Sequence, residues 1–160
     1  MPSNIEERKL LFRLFYAHRA FEDARAACTE LLQTYMTCSD TIYKSLTTAI
    51  HIHYGRPFTM SHGAGKLTDE IVPSEFRATH QRLLQLRHQF FAHSDTQRLD
   101  AHEWGRAHQV RFILGATIKT SNIATSGVNE RPDYYERVSG LLDVLIQKIH
   151  YHIRKTFQKH

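Results

Sequence analysis

The sequence lacks any run of roughly 18 to 20 apolar residues, which is the length that a membrane-spanning helix requires. Its beginning, MPSNIEERKLLFRLF, mixes charged residues with apolar ones and has no uninterrupted apolar core of the kind found in signal peptides. We therefore expect a cytoplasmic protein with no membrane association.

Cysteine is also scarce, and the two that are present, Cys28 and Cys38, have the spacing of neither a zinc knuckle nor a redox CxxC pair. In a reducing cytoplasm we expect both thiols to be buried and inert. The histidine pairs His51/His53 and His150/His152 are each two residues apart, which places them about 200° apart around a helix. They cannot share one ion in that arrangement, so we predict no metal site and no cofactor.

A phosphate-binding loop is absent as well. The stretch around Gly63, Gly65 and Lys66 does not have the spacing G-x-x-x-x-G-K-[ST], which excludes nucleoside triphosphate hydrolysis of that type. The 160 residues are 41% hydrophobic and 23% charged, which is ordinary for one globular domain spanning residues 1–160. The net charge of +5 suits an anionic partner such as RNA, but many other globular proteins carry as much.

Apolar residues spaced three or four apart predict four main helices. They cover residues 5–33, 39–53, from about 73 or 74 to 93–95, and 134–157. Ser39 and Asp40 are the candidate N-caps of the second helix, and the glycines and prolines of YGRPFTMSHGAGKL predict a long ordered loop after it. We therefore expect a mainly α fold, a bundle of four to five helices.

One segment has a different period. In HQVRFIL, Val110, Phe112 and Leu114 would lie on one side of a strand and Arg111 and Ile113 on the other. Gly115 separates this run from ATIKTS. This pattern predicts a small β-hairpin inserted into the bundle over about residues 108–121.

The stretch LRHQFFAHSD, near the end of the third predicted helix, concentrates polar residues in an apolar context. It contains Arg87, His88, His93, Ser94 and Asp95. RNA carries its own nucleophile, the 2′-hydroxyl, so its cleavage needs only proton transfer and charge stabilisation. Histidine can transfer the proton near neutral pH, and arginine can bind the phosphate oxygens in bidentate fashion. Arg87 and His93 therefore form a minimal candidate site for phosphodiester cleavage.

An arginine followed after four to six residues by histidine, near the end of a helix, resembles the motif of the HEPN superfamily. The run LRHQFFAHSD is similar to the "lRnkxxAHsD" run of bacterial members from abortive-infection and toxin–antitoxin settings, and His80 and the YGRPF loop also look like features of those relatives. This resemblance implies a helical bundle, homodimers and metal-independent endoribonuclease activity in a toxin or phage-defence effector, with an antitoxin protein as a possible partner. It also implies Arg87 and His93 as catalytic residues.

Geometry leaves two arrangements open. Six residues at about 100° each place Arg87 and His93 roughly 120° apart around an ideal helix. Either the helix loosens near His93, or two copies of the motif meet across a dimer axis, which is what the resemblance implies. His88, Ser94 and Asp95 are supporting candidates for substrate contact, histidine orientation or dimer contact.

The alternative function is a non-catalytic helical module that binds a nucleotide, RNA or a protein, in which Arg87 and His93 are structural. A carboxylate such as Asp95 would then hold the guanidinium. The sequence leaves open whether the protein is an enzyme. Aromatic residues at helical spacing are expected in the core or in a dimer interface: Phe12, Phe15, Phe21, Phe90 and Phe91.

Overall fold

The computed structural model describes residues 5–59, 65–88, 110–113, 122–125 and 130–158. Four α-helices account for most of these residues: α1 (Ile5–Thr34), α2 (Asp40–Gly55), α3 (Arg77–Leu86) and α4 (Pro132–Phe157). Three short 3₁₀ turns, Arg56–Phe58, Asp69–Ile71 and Ser74–Phe76, lie between α2 and α3. The protein is a helical bundle, as predicted. Within the described ranges, none of the helices combines the length and the apolar composition that crossing a membrane demands.

The predicted positions of the first, second and last helices are confirmed to within two residues. Ser39 caps α2 as predicted, since its side chain accepts a hydrogen bond from the backbone N–H of Ile42 at 3.4 Å. The predicted loop begins too early, because Tyr54 and Gly55 still belong to α2. The third helix begins at Arg77, after a 3₁₀ turn, rather than at Ser74. Its predicted end, at residues 93–95, lies outside the described residues.

The hairpin predicted over about residues 108–121, with its turn at Gly115, is not seen. The structure instead describes two four-residue strands, β1 (Val110–Ile113) and β2 (Asn122–Thr125), which pair antiparallel with Val110 opposite Thr125. The segment ATIKTS, predicted as the second strand, lies outside the described residues. The alternation of HQVRFIL predicts the first strand correctly but does not identify its partner.

Helix α1 is the centre of the bundle, since it packs against both α2 and α4. The residues Phe21, Ala24, Cys28 and Leu31, spaced three or four apart along α1, are completely buried. From α4, the completely buried residues are Tyr135, Val138, Leu141, Leu142, Leu145 and Ile149. Such matched apolar faces are what hold two helices together. The core is therefore built from the periodic residues that predicted the helices.

The aromatic residues expected in the core or in a dimer interface divide into different environments. Phe21 is completely buried and its ring lies 5.8 Å from that of Tyr54. Phe12 and Phe15 are 62% and 50% exposed, so a core role is wrong for both. Phe12 precedes Phe21 by nine residues, which places it about 180° away around the helix. Phe90 and Phe91 lie outside the described residues.

The two cysteines also differ. Cys28 is completely buried between α1 and α4, where its Sγ contacts the backbone oxygen of Tyr135 at 3.2 Å. Burial raises the pKa of the Cys28 thiol to about 12, with the Asp143 carboxylate contributing in the same direction. The expectation of a buried thiol is confirmed for Cys28, whereas Cys38 is only half-buried.

Replacing Phe21 with alanine tests the central position of α1. Loss of this ring leaves a cavity against Tyr54 and Phe58, so we expect Phe21→Ala to lower the free energy of unfolding by about 3–5 kcal/mol. Phe12→Ala, on the opposite side of the same helix, is the matched control and should change it by less than about 1 kcal/mol. Urea denaturation measures both, and equal losses would contradict the described packing of α1.

Candidate functional site

The candidate site lies where α3 packs against the end of α2. Residues His80, Leu83 and Arg87 are spaced three or four apart and therefore share one side of α3. Tyr54 and Gly55, the last two residues of α2, face them. We call these five residues the α2–α3 seam. Arg87, one of the predicted site residues, belongs to the α2–α3 seam.

Gly55 makes room for the side chain of Arg87. A Cβ atom at Gly55 would overlap Cδ of Arg87 and would lie 2.7 Å from its Nε. The backbone of Gly55 is ordinary helix, with φ of −78°, so the glycine is required for space and not for its conformational freedom. The aliphatic part of Arg87 therefore lies directly on the backbone of α2.

This packing buries a hydrogen-bond donor of the charged Arg87 side chain. Arg87 is half-buried, and its Nε is buried with no hydrogen-bond partner among the described residues. Leaving a buried donor unpaired costs on the order of 1–3 kcal/mol, and more for a charged group. A buried group of this kind calls for an explanation, and a missing anionic ligand is one.

The other predicted site residues are only partly described. His88 is exposed at the end of α3, while His93, Ser94 and Asp95 lie outside the described residues. At Arg87 and His88 the chain adopts π-helical geometry, a feature that is frequent at functional sites. The separation of 120° predicted between Arg87 and His93 on an ideal α-helix stays a prediction, because His93 lies outside the described residues. The backbone N–H of Arg87 still donates to the carbonyl of Leu83, as in an α-helix.

A buried polar contact adjoins the Arg87 position. The Tyr54 hydroxyl and Nδ1 of His80 are 2.7 Å apart, and Nε2 of His80 lies 3.5 Å from a carboxylate oxygen of the exposed Asp69. Burial lowers the pKa of His80, and Asp69 partly opposes this shift. His80 thus joins the last turn of α2 to the 3₁₀ turn at Asp69–Ile71 by polar contacts on both ring nitrogens.

Sequence reasoning singled out His80 and the YGRPF stretch only through a resemblance, and it did not place Tyr54, Gly55 or Asp69 beside His80 and Arg87. Tyr54 and His80 are 26 residues apart, so no local pattern links them. The pattern of YGRPF predicts a loop, whereas its glycine is the last residue of α2 and contacts the side chain of Arg87. A signal that distinguishes the two uses of glycine is absent from a single sequence.

His51 is a second buried histidine, one turn before Gly55. Its Nδ1 lies 2.6 Å from the backbone oxygen of Thr47, and its ring stacks on that of Tyr134 at 6.4 Å with 14° between the planes. Burial lowers the pKa of His51 to about 4. No group of three or more histidine, cysteine or acidic side chains in the described part of the chain is arranged to hold a metal ion.

Compared with protein-family models, with curated proteins and with solved structures, the chain matches none. The fold and the site define the class of protein as a helical bundle in which an arginine packs on the end of a neighbouring helix.

A double-mutant cycle tests the contact between Arg87 and Gly55. Alanine is a better helix former than glycine by about 1 kcal/mol, yet we expect Gly55→Ala to lower the free energy of unfolding by about 1–2 kcal/mol because of the overlap. In an Arg87→Ala background the same change should be stabilising. The coupling energy between the two positions, measured by urea denaturation, should exceed about 1 kcal/mol.

Gly140→Ala is the matched control for this cycle. A Cβ at Gly140 in α4 would lie 3.6 Å from the Phe76 ring, an ordinary contact distance. The change should therefore be neutral or stabilising, with no coupling to Arg87→Ala. Additive effects of Gly55→Ala and Arg87→Ala would show that Arg87 does not lie on Gly55.

The buried His51 predicts a pH dependence of stability. Its pKa is about 4 in the folded state, against an ordinary value of 6.5 that applies to the unfolded chain. The unfolded state therefore binds more protons between these values. The stability that depends on neutral His51 is complete above pH 6.5 and is lost as the pH falls towards 4. Between pH 7 and pH 5 the contribution of His51 should fall by about 2 kcal/mol.

His51→Gln should make the urea-derived free energy of unfolding less dependent on pH in this range. The exposed His152 supplies the control, and His152→Gln should leave the pH dependence as it is in the wild type. An unchanged slope in His51→Gln would mean that His51 titrates near its ordinary pKa in the folded protein.

Proposed function

We propose that the protein is a metal-independent endoribonuclease of the HEPN type, acting in the cytoplasm as a toxin or phage-defence effector. The observation that carries the proposal is the position of Arg87. Its stem is fixed against α2, and its buried Nε has no partner among the described residues. A fixed guanidinium with unused donor capacity suits the binding of a phosphate group.

In this proposal Arg87 binds the scissile phosphate and stabilises the negative charge that develops as the 2′-hydroxyl attacks. An arginine held in place before substrate arrives needs little reorganisation during the reaction, which is the condition under which electrostatic stabilisation is most effective. Its contact with Gly55 would supply that restraint.

His93 would act as general base or general acid, a role expected to contribute roughly 10²- to 10⁴-fold to the rate. His88, Ser94 and Asp95 would contact substrate, orient His93 or contribute to a dimer interface. The products would carry a 2′,3′-cyclic phosphate and a 5′-hydroxyl. Two copies of the motif would meet in a homodimer, and an antitoxin protein would hold the activity in check.

A second candidate function is a non-catalytic module that binds a nucleotide, RNA or a protein. One observation favours it: the contact between Arg87 and Gly55 is made within one chain, so the arginine already contributes to the packing of α2 against α3. In that case Arg87 and His93 would be structural, and their replacement would change stability rather than a reaction rate.

Incubation of the purified protein with total cellular RNA in EDTA tests the proposal, because EDTA excludes contaminating metal-dependent nucleases. We expect the wild type to cleave the RNA, and Arg87→Ala and His93→Ala to lose at least 100-fold of the rate as folded proteins. Arg19→Ala and His152→Ala, two exposed positions, are the controls and should cleave as the wild type does. The oligomeric state of each variant is measured in parallel by light scattering.

Intact RNA after incubation with the wild type would remove the main support for catalysis and favour the binding module. Cleavage that persists in folded Arg87→Ala would show that the activity does not depend on this site.

A further inference from the structure

An open cleft of about 380 Å³ lies between the first half of α1, the last turns of α4 and the segment that contains the 3₁₀ turn Asp69–Ile71. Its apolar walls are aliphatic and come from two of these elements: Leu10, Leu14, Leu67 and Ile71. Leu10 is 39% exposed, although it is a large apolar residue. The cleft is large enough for the body of a small organic molecule.

Arg13 brings a fixed positive charge to this cleft. The guanidinium donates from Nη1 to the backbone oxygen of Lys66 at 3.3 Å and lies against Gly65, whose φ is +77°. A Cβ at Gly65 would be 3.6 Å from Cζ of Arg13. Contact with this segment therefore fixes one side of the guanidinium.

The same guanidinium has donor capacity that the described residues do not use. The Nε of Arg13 is buried and has no hydrogen-bond partner among them. Because Arg13 also lines the cleft, a ligand there can contact the accessible part of a guanidinium that is already positioned. Arginine binds carboxylates in this way with well-defined geometry.

The charge balance of the cleft indicates what kind of anion it takes. Among the lining residues that the structure describes, Arg13 is the one arginine and Glu70 the one carboxylate. Thr68, Thr156 and His152 add further polar groups to the lining. A ligand with two negative charges would meet the repulsion of Glu70 with one cation to offset it, whereas a monoanion matches a single guanidinium.

We propose that this cleft is a binding site for a small apolar monocarboxylate, with the carboxylate on Arg13 and the apolar body against the leucine walls. The site is separate from Arg87 and does not depend on the proposed ribonuclease activity. The contacts that would recognise the ligand are one bidentate ion pair and the burial of a hydrocarbon or aromatic surface.

Titration of the ¹⁵N-labelled protein with 4-phenylbutyrate, followed by NMR, tests the proposal. We expect saturable shifts at residues of the cleft and a dissociation constant on the order of 0.1–1 mM for a ligand of this size. The uncharged analogue 4-phenylbutanol should bind at least tenfold more weakly, because it lacks the charge that Arg13 recognises. Phenylethyl phosphate, a dianion near neutral pH, should also bind more weakly than the carboxylate.

Variants locate the interaction. Arg13→Met keeps the length of the side chain and should weaken 4-phenylbutyrate binding at least tenfold, whereas Lys9→Met, which removes an exposed cation on the same helix, should leave it unchanged. Thr68→Trp places a large ring at an exposed position of the cleft and should block binding. It tests the cleft independently, so the proposal stays testable if Arg13→Met does not fold. Glu70→Gln should keep or strengthen binding.

Three results would overturn the proposal. They are equal affinity for the carboxylate and the alcohol, unchanged affinity in Thr68→Trp, and shifts confined to residues outside the cleft. Tighter binding of the phosphate than of the carboxylate would contradict the assignment of the ligand as a monoanion.

Discussion

The position of the Arg87 side chain against α2 depends on the missing side chain at Gly55. Any larger residue there would occupy the space of the Arg87 stem. Because the stem lies on the helix backbone, the guanidinium of Arg87 is positioned by packing rather than by an ion pair with a described residue. The Arg87 guanidinium therefore keeps N–H groups that can donate to a ligand. This distinguishes it from an arginine held in a salt bridge, such as Arg82 with Glu130.

The buried histidines add a polar layer around this contact. His51 and His80 are both nearly inaccessible to solvent, and burial lowers the pKa of both. Each is held by a partner from the chain, the Thr47 carbonyl or the Tyr54 hydroxyl. Each contact ties one buried ring to a defined oxygen atom of the chain.

The sequence predicted the bundle well because its helices have one-sided apolar patterns. The stripe from Phe21 to Leu31 and the Ser39 cap are local features, the first predicted by spacing and the second by the preference for serine at a helix start. The parts that failed depend on contacts between distant segments. Nothing near Gly55 indicates that Arg87, thirty-two residues later, will lie on it, and the alternation around Val110 does not reveal that the partner strand begins at Asn122.

The candidate site also combines features that the local sequence predicts with features that depend on contacts between distant segments. A motif drew attention to Arg87, and the structure adds the glycine beneath it and the Tyr54–His80 contact beside it. The role of His93 remains a proposal that rests on resemblance and on the chemistry of RNA cleavage. Arg13 was not identified from the sequence, since an arginine among the apolar residues of an amphipathic helix has no pattern that separates a ligand contact from an exposed charge.

The central claim is that Arg87 is a positioned anion-binding group, and the Nε–Hε signals of the arginine side chains in an NMR spectrum test it most directly. The Arg87 signal is identified by its loss in Arg87→Lys. On addition of a DNA dinucleotide, which has a phosphodiester but no 2′-hydroxyl and so cannot be cleaved by this route, the Arg87 signal should shift more than those of Arg19 and Arg25, two exposed arginines outside both proposed sites. A spectrum in which Arg87 shifts no more than these two arginines would contradict the account.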